Sequence, residues 1–94
     1  MQVEWLRTAL KNLDEQARYL AQDNPRAAGD FVRAILASVE QLAQFPASGR
    51  VGRLPGTREW PVPGQPYLIP YRVRGQRLQI LRIFHTRRQP PQGG

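Results

Sequence analysis

A break at residues 23–25 divides the first half of the chain into two helices and restricts their arrangement. Before the break, five apolar residues recur at steps of three or four, as on one helix face: Leu6, Leu10, Leu13, Ala17 and Leu20. Beyond it the same spacing recurs in Ala28, Phe31, Ile35, Val39 and Leu42. Pro25 cannot continue the first helix but suits the first turn of the second, and Asn24 is a good N-cap. The short link predicts an antiparallel helical hairpin, which ends before Pro46.

Short strands are predicted on both sides of the hairpin. Residues 2–6 alternate polar and apolar side chains, which is typical of a strand. Residues 46–56 are rich in proline, glycine and arginine, as in a loop. Three more strands are predicted at 57–62, 67–73 and 78–84, and Pro61 makes the first of them short or places it at an edge.

These elements predict the α+β fold class. The expected architecture is an N-terminal strand, an antiparallel two-helix hairpin and then a three-stranded antiparallel meander, with both helices on one side of the sheet. A chain of 94 residues is long enough for a single core. We expect one domain over residues 1–88 and a flexible C-terminal tail over 89–94.

Gly75 determines the predicted register of the last two strands. Glycine readily adopts the positive φ that a type II′ turn needs at its first central residue, so a turn at Gly75 and Gln76 pairs residues symmetrically about it. The predicted core face then carries the pairs Val73–Leu78, Tyr71–Ile80, Ile69–Arg82 and Tyr67–Phe84. The predicted working face carries Arg72–Gln79, Pro70–Leu81, Leu68–Ile83 and Pro66–His85. A slip of one residue would exchange the two faces.

Positive charge is concentrated in the second half of the chain. Residues 1–48 carry five cations and six acids, whereas 49–94 carry nine arginines and a single acid, Glu59. The planar guanidinium of arginine suits carboxylates and phosphates, because it donates two parallel hydrogen bonds to them. We therefore predict that the second half of the chain meets an anionic partner; a solvated basic surface is the alternative.

The residue types present exclude most kinds of metal and catalytic site. The chain has no cysteine and one histidine, His85, so we expect no disulfide, no metal and no cofactor. Paired carboxylates and glycine-rich phosphate loops are also missing from the sequence. No apolar run is long enough to span a membrane and no signal peptide is evident, so we expect a cytoplasmic protein without a membrane partner.

The candidate functional residues lie on the last three predicted strands and just beyond them. His85 suits proton transfer or phosphate binding, or else is a partly buried histidine bonded to the backbone. Arg87 and Arg88 suit a phosphate or an acidic residue, or belong to a solvated tail. Trp60, with Arg58 on the same strand face, is placed either to contact a partner or to pack against the second helix. The predicted partner-binding set is Arg58, Trp60, Leu68, Arg72, Leu81, Ile83, His85, Arg87 and Arg88.

Several segments carry a family resemblance when they are taken in order. They are Val-Glu-Trp at 3–5, Asp-Asn-Pro-Arg-Ala-Ala at 23–28, Phe-Pro at 45–46, Gly-Arg at 49–50, Tyr-Leu-Ile-Pro-Tyr-Arg-Val at 67–73 and Ile-Leu-Arg-Ile-Phe-His-Thr-Arg-Arg at 80–88. The chain resembles the RelE/ParE superfamily of bacterial toxins over residues 2–91. The resemblance implies a helical hairpin beside an antiparallel sheet. It also implies a cognate antitoxin, acidic and partly disordered, that folds over the basic surface.

The two branches of this superfamily imply different functions. RelE-like members cut messenger RNA on the ribosome, and if this chain is such an endoribonuclease its catalytic set is His85, Arg87 and Arg72. Those nucleases have an arginine where this chain has Leu68, which cannot bind phosphate. ParE-like members are similar in the Leu-Ile-x-Tyr-Arg-Val and Ile-Leu-Arg-x-x-His-x-Arg segments, a likeness that implies poisoning of DNA gyrase. We favour the ParE-like function, which needs no catalytic residue; direct nucleic-acid binding is a third alternative.

Overall fold

The computed structural model describes residues 1–87, which contain two helices and six strands. In chain order the elements are β1 (Gln2–Trp5), α1 (Arg7–Asp23), α2 (Pro25–Gln44), a 3-10 turn (Pro46–Ser48), β2 (Arg50–Val51), β3 (Arg58–Pro61), β4 (Tyr67–Arg74), β5 (Arg77–Ile80) and β6 (Phe84–His85). The predicted α+β fold is confirmed. Arg88 and the predicted tail at 89–94 lie outside the described residues.

Asn24 alone joins the two helices and completes the hydrogen bonding of both. Its backbone N–H donates to the Leu20 carbonyl oxygen over 2.9 Å and closes α1. Its side-chain Oδ1 accepts from the Ala27 N–H over 3.1 Å and caps α2. Pro25 occupies the first turn of α2, where a missing N–H costs no helical hydrogen bond. The break predicted from the sequence at residues 23–25 is therefore confirmed.

The buried face of α2 is the predicted one, and that of α1 differs from the prediction at one position. Leu13, Ala17 and Leu20 pack against the core as predicted, but Ala9 is buried in place of Leu10. All five predicted core residues of α2 are buried. In α1, Ala9 is fully buried and Leu10 is 50% exposed, so the prediction that Leu10 faces the core is wrong. The Leu6 N–H donates to the Ile80 carbonyl oxygen over 3.1 Å, which holds the first turn of α1 against the sheet.

The strands form one sheet in the order β1-β5-β4-β3-β2, and the short β6 pairs with the beginning of β4. β1 runs parallel to β5, while the other pairs are antiparallel. A parallel pair needs a long crossover connection, and the helical hairpin is the first part of it. The hydrophobic core lies between the hairpin and the face of the sheet that carries Ile69, Tyr71, Leu78 and Ile80.

The register around Gly75 is confirmed near the turn and wrong farther along. Gly75 has a φ of +59°, and the pairs Val73–Leu78, Tyr71–Ile80 and Arg72–Gln79 form as predicted. The Leu81 N–H still donates to the Pro70 carbonyl oxygen over 3.0 Å. Beyond this point Leu68 pairs with Phe84 and Tyr67 with His85, one residue out of the predicted register.

A β-bulge causes the shift. Between the Pro70–Leu81 and Leu68–Phe84 pairs, residues 82 and 83 stand opposite the single residue Ile69. The Ile83 N–H donates instead to the Asn12 Oδ1 of α1 over 3.1 Å. A one-residue insertion exchanges the faces of everything beyond it.

The faces predicted for the end of the last strand are therefore wrong. Ile83, predicted to face away from the helices, belongs to the buried core. Phe84, predicted to lie in the core, lies on the opposite face with Leu68. His85 turns toward the helix side with Tyr67 instead of lying on the working face.

Candidate functional site

The sheet face turned away from the helices carries most of the arginines of the second half of the chain. We call it the outer face. Core residues alternate with it along β4 and β5, so it includes Arg72, Arg74 and Arg77. The residues that pair with these positions on neighbouring strands also belong to the outer face, and so does Arg53, which contacts Glu59. The outer face consists of Glu4, Arg50, Arg53, Glu59, Leu68, Pro70, Arg72, Arg74, Arg77, Gln79, Leu81 and Phe84.

A buried carboxylate organises one half of the outer face. The Glu59 side chain is only 8% exposed, and it lies 3.6 Å from an Arg50 guanidinium nitrogen and 3.8 Å from the Arg53 Nε. The Arg53 backbone N–H also donates to its Oε2 over 3.2 Å. The Arg53 guanidinium lies 5.9 Å from the centre of the Phe84 ring. Because one acid faces two arginines, this half of the outer face keeps a net positive charge.

A chain of hydrogen bonds organises the other half. The Arg72 Nε donates to the Gln79 Oε1 over 2.6 Å, and the Gln79 Nε2 donates to the Glu4 Oε1 over 2.9 Å. Arg77 lies 3.7 Å from the same Glu4 oxygen. Arg74 forms no ion pair with any residue from 1 to 87. Cations again outnumber acids, and the hydrogen bonds fix where their charges lie.

Arg58 and Trp60, two of the predicted partner-binding residues, lie on the opposite side of the sheet. Arg58 pairs with Tyr71 on the helix side, and its guanidinium donates to the Gly49 carbonyl oxygen over 2.8 Å. Trp60 pairs with Ile69 and packs against the core. Its Nε1 is buried, with no hydrogen-bond partner in the described part of the chain. Trp60 therefore lies on the helix side of the sheet, as expected for the alternative in which it packs against the second helix.

The structure separates Arg72 from the other two candidate nuclease residues, His85 and Arg87. His85 is half-buried, with its ring 5.2 Å from that of Tyr67, and its Nδ1 accepts from the Arg87 backbone N–H over 3.1 Å. Arg72 lies five residues from Tyr67 along β4, which is about 17 Å of strand, and on the other face. Leu68 is buried on the outer face. Among the predicted partner-binding residues that the structure describes, Leu68, Arg72 and Leu81 lie on the outer face.

The sequence prediction missed Arg50, Arg53 and Glu59 as members of a functional surface. One signal in the sequence points to them: Glu59 is the only acid among nine arginines in the second half of the chain. A lone acid in such a region is the natural partner for several of its cations. Only the structure shows which arginines these are, because it pairs Arg50 of β2 with Glu59 of β3 and places Arg53 beside the same carboxylate.

Neither a metal-binding group nor a membrane-spanning helix is found in the part of the chain that the structure describes. Residues 1–87 hold no group of three or more His, Asp or Glu side chains placed to bind a metal ion. Within the same range, neither helix is long and apolar enough to cross a bilayer.

Comparison with known proteins identifies the family. Residues 3–90 match the family described as the ParE toxin of the type II toxin–antitoxin system parDE. The chain belongs to the ParE toxin family. It is therefore a toxin of a ParDE-type toxin–antitoxin system, and toxins of such systems are paired with an antitoxin.

Relatives and a solved structure agree with this assignment. "Putative toxin Y4kP" of Sinorhizobium fredii is 42% identical over 90 residues, which cover 96% of this chain and 93% of the relative. Toxin RelE2 of Caulobacter vibrioides is 32% identical over 93% of this chain and 97% of its own length. A chain in the structure titled "Chromosomal ParDE TA system from P. aeruginosa" superposes with a TM-score of 0.81 at 31% identity, over 90% of this ParE-family toxin and 95% of that chain.

Proposed function

We propose that this ParE-family toxin poisons DNA gyrase by binding to it, and that a cognate acidic antitoxin neutralises the toxin. The observation that carries the proposal is the separation of His85 from the arginines of the outer face. RNA cleavage by a side-chain acid or base requires that group within hydrogen-bond reach of the reacting atoms, beside the cations that stabilise the phosphate. Binding has no such requirement, and an ordered basic surface is sufficient for it.

The outer face is the surface we assign to the antitoxin. Three of its arginines, Arg50, Arg53 and Arg77, lie beside Glu59 or Glu4, and Arg72 is hydrogen-bonded to Gln79. Less side-chain entropy is therefore lost when an acidic chain binds them. The partly exposed apolar residues between them, Pro70, Leu81 and Phe84, offer contacts to the aliphatic side chains of a folding segment. A surface of this kind accelerates association with an acidic chain, and salt screens the effect.

A DNA cleavage assay tests the proposed target. Purified toxin is incubated with gyrase, ATP and supercoiled plasmid, and the reaction is stopped with detergent and protease. We expect linear plasmid to accumulate in proportion to the toxin, with gyrase bound covalently to the cut ends. In cells, expression should induce the DNA-damage response. Intact plasmid at saturating toxin, together with cleavage of ribosome-bound messenger RNA, would reject gyrase as the target.

Matched arginine variants test the antitoxin surface. The partner to use is the short acidic protein expected from the neighbouring reading frame. Replacing Arg72 and Arg77 with glutamine should slow association about tenfold at low salt, and the difference should shrink as the salt concentration rises. Replacing Arg18 and Arg26 together with glutamine is the control, because it removes the same charge from exposed positions on the helical hairpin, away from the outer face. Equal effects of the two sets would show that only net charge matters.

Ribosome-dependent endoribonuclease activity is the second candidate. Two observations favour it: the Caulobacter relative is named RelE2, and His85 is hydrogen-bonded to the backbone of Arg87. If this function is correct, His85→Gln and Arg87→Gln abolish toxicity and messenger cleavage while leaving antitoxin binding intact. Unchanged toxicity in both variants would exclude it.

A further inference from the structure

The sheet ends at β1, whose outward edge has no strand partner among residues 1–87. The N–H groups of Gln2 and Leu6 donate to carbonyl oxygens of the β4–β5 hairpin and of β5, over 3.3 and 3.1 Å. Along a strand of a parallel pair, the backbone N–H and C=O groups of alternate residues face the neighbouring strand, and those of the residues between them face the opposite way. The backbone N–H and C=O groups of Val3 and Trp5 therefore project from the edge, where they can pair with another strand.

An apolar groove of about 510 Å³ runs beside this edge, between β1 and α2. Two of its apolar side chains are open to solvent: Val3 is 38% and Leu36 is 47% exposed. The groove is lined by Val3, Trp5, Arg33, Leu36, Ala37, Val39 and Glu40. Unpaired strand groups and an open apolar groove thus occur side by side.

We propose that a second copy of this chain fills the groove, so that the toxin forms a symmetric dimer through paired β1 strands. The lining residues of β1 are centred on Glu4, and those of α2 are centred between Leu36 and Ala37. A twofold axis normal to the sheet at this point places both β1 and α2 antiparallel to their counterparts. A single twofold axis therefore relates the two β1 strands to each other and the two α2 helices to each other.

The strand pairing satisfies the outward backbone groups. With the axis at Glu4, Val3 of each copy pairs with Trp5 of the other, and the two pairs exchange four N–H···O=C hydrogen bonds. Their side chains lie on the helix side, in the groove. The Glu4 side chain lies on the outer face, where its carboxylate is already bonded to Gln79 and paired with Arg77.

The charges on α2 are complementary to themselves under this symmetry. Arg33 and Glu40 are both exposed and lie seven residues apart, on the same face of the helix. Two antiparallel copies of α2 that cross between Leu36 and Ala37 bring Arg33 of each copy to Glu40 of the other. The groove residues thus carry one cation and one acid, which suits a second copy better than the acidic antitoxin assigned to the outer face.

Sedimentation of charge-reversal variants tests the dimer. We expect the wild-type chain to pass from monomer to dimer with rising concentration. Arg33→Glu and Glu40→Arg should each raise the dimer dissociation constant at least tenfold, through like charges across the axis. An equimolar mixture of the two variants should restore dimerisation, because each then meets opposite charges on the other. Leu36→Glu should abolish the dimer, whereas Leu54→Glu, at another exposed apolar residue, should not.

Amide hydrogen exchange provides a second measurement. The Val3 and Trp5 amides should be protected at high concentration and exchange freely on dilution, while the Glu4 amide, directed toward β5, stays protected in both cases. A wild-type chain that remains monomeric up to about 1 mM overturns the proposal. So does a mixture of the two charge variants that fails to associate. Neither result bears on the gyrase assay, which reports the proposed function separately.

Discussion

Tyr71→Phe should destabilise the toxin strongly although it removes a single oxygen atom. Tyr71 is fully buried at the centre of β4. Its hydroxyl donates to the Pro46 carbonyl oxygen over 2.7 Å and accepts from the Gly49 N–H over 2.8 Å. These bonds attach the turn after α2 to the middle of the sheet. Phenylalanine retains the ring in the core and removes both bonds.

The expected loss of unfolding free energy follows from the burial of the backbone groups that the Tyr71 hydroxyl no longer bonds. A buried hydrogen bond contributes about 1 kcal/mol net, and a buried donor left without a partner costs about 1–3 kcal/mol. Gly49 is buried, so its N–H gains little from water once the hydroxyl is gone. The total is about 3 kcal/mol, a large part of the about 5–15 kcal/mol that stabilises a small domain.

Urea denaturation followed by circular dichroism measures this loss. With a slope of about 1 kcal/mol per molar urea, the midpoint should fall by about 3 M. Tyr19→Phe is the matched control; Tyr19 is 56% exposed, and its variant should stay within about 0.5 kcal/mol of wild type. A Tyr71→Phe protein within about 1 kcal/mol of wild type would refute the reasoning.

The same hydroxyl gives the stability a pH dependence. Burial raises the pKa of Tyr71 above its usual value of 10.0, although the Gly49 N–H bond and the charge of Arg58 act in the opposite direction. The folded state thus favours the neutral phenol, so this contribution is complete below pH 10.0 and is lost as the pH rises further. The difference in unfolding free energy between wild type and Tyr71→Phe should therefore be constant at neutral pH and shrink in alkali.

Three further predictions concern single contacts of the fold. Asn24→Ala removes the cap of α2 and should cost about 0.5–2 kcal/mol of unfolding free energy, with Asn24→Gly costing less. Ile83→Ala should cost about 2–5 kcal/mol, because the bulge places Ile83 in the core; a cost below about 1 kcal/mol would contradict that placement. Asn12→Ala leaves the Ile83 N–H without its acceptor and should cost about 1–3 kcal/mol and speed exchange of that amide, as hydrogen-exchange mass spectrometry would show.

The parts of the fold that could be predicted depend on local chemistry. Asn24 and Pro25 act within their own turn, so the sequence alone located the break between the helices. Gly75 likewise fixed the hairpin turn and the first pairs beside it. The parallel pairing of β1 with β5 could not be read in this way, because it joins residues more than 70 positions apart and leaves no periodic signal.

The bulge is the clearest example of a feature that local patterns cannot predict. Its free N–H, on Ile83, finds an acceptor in Asn12 of α1, far away in the sequence. The pattern at 80–85 fits either register, since apolar residues stand at both odd and even positions. The register that forms is the one that buries Ile83 in the core, and in this register His85 lies on the helix side, away from the outer face.

This choice of register connects the fold to the proposed function. In the predicted register without a bulge, His85 lies on the same face as Leu68 and the arginines, and a titratable group then stands on a basic surface, as RNA cleavage requires. With the bulge, that position is taken by Phe84, which faces the guanidinium of Arg53. An aromatic ring beside an arginine strengthens a binding surface but transfers no proton. The extra residue thus separates the histidine from the arginines, and the outer face that remains is suited to holding a partner.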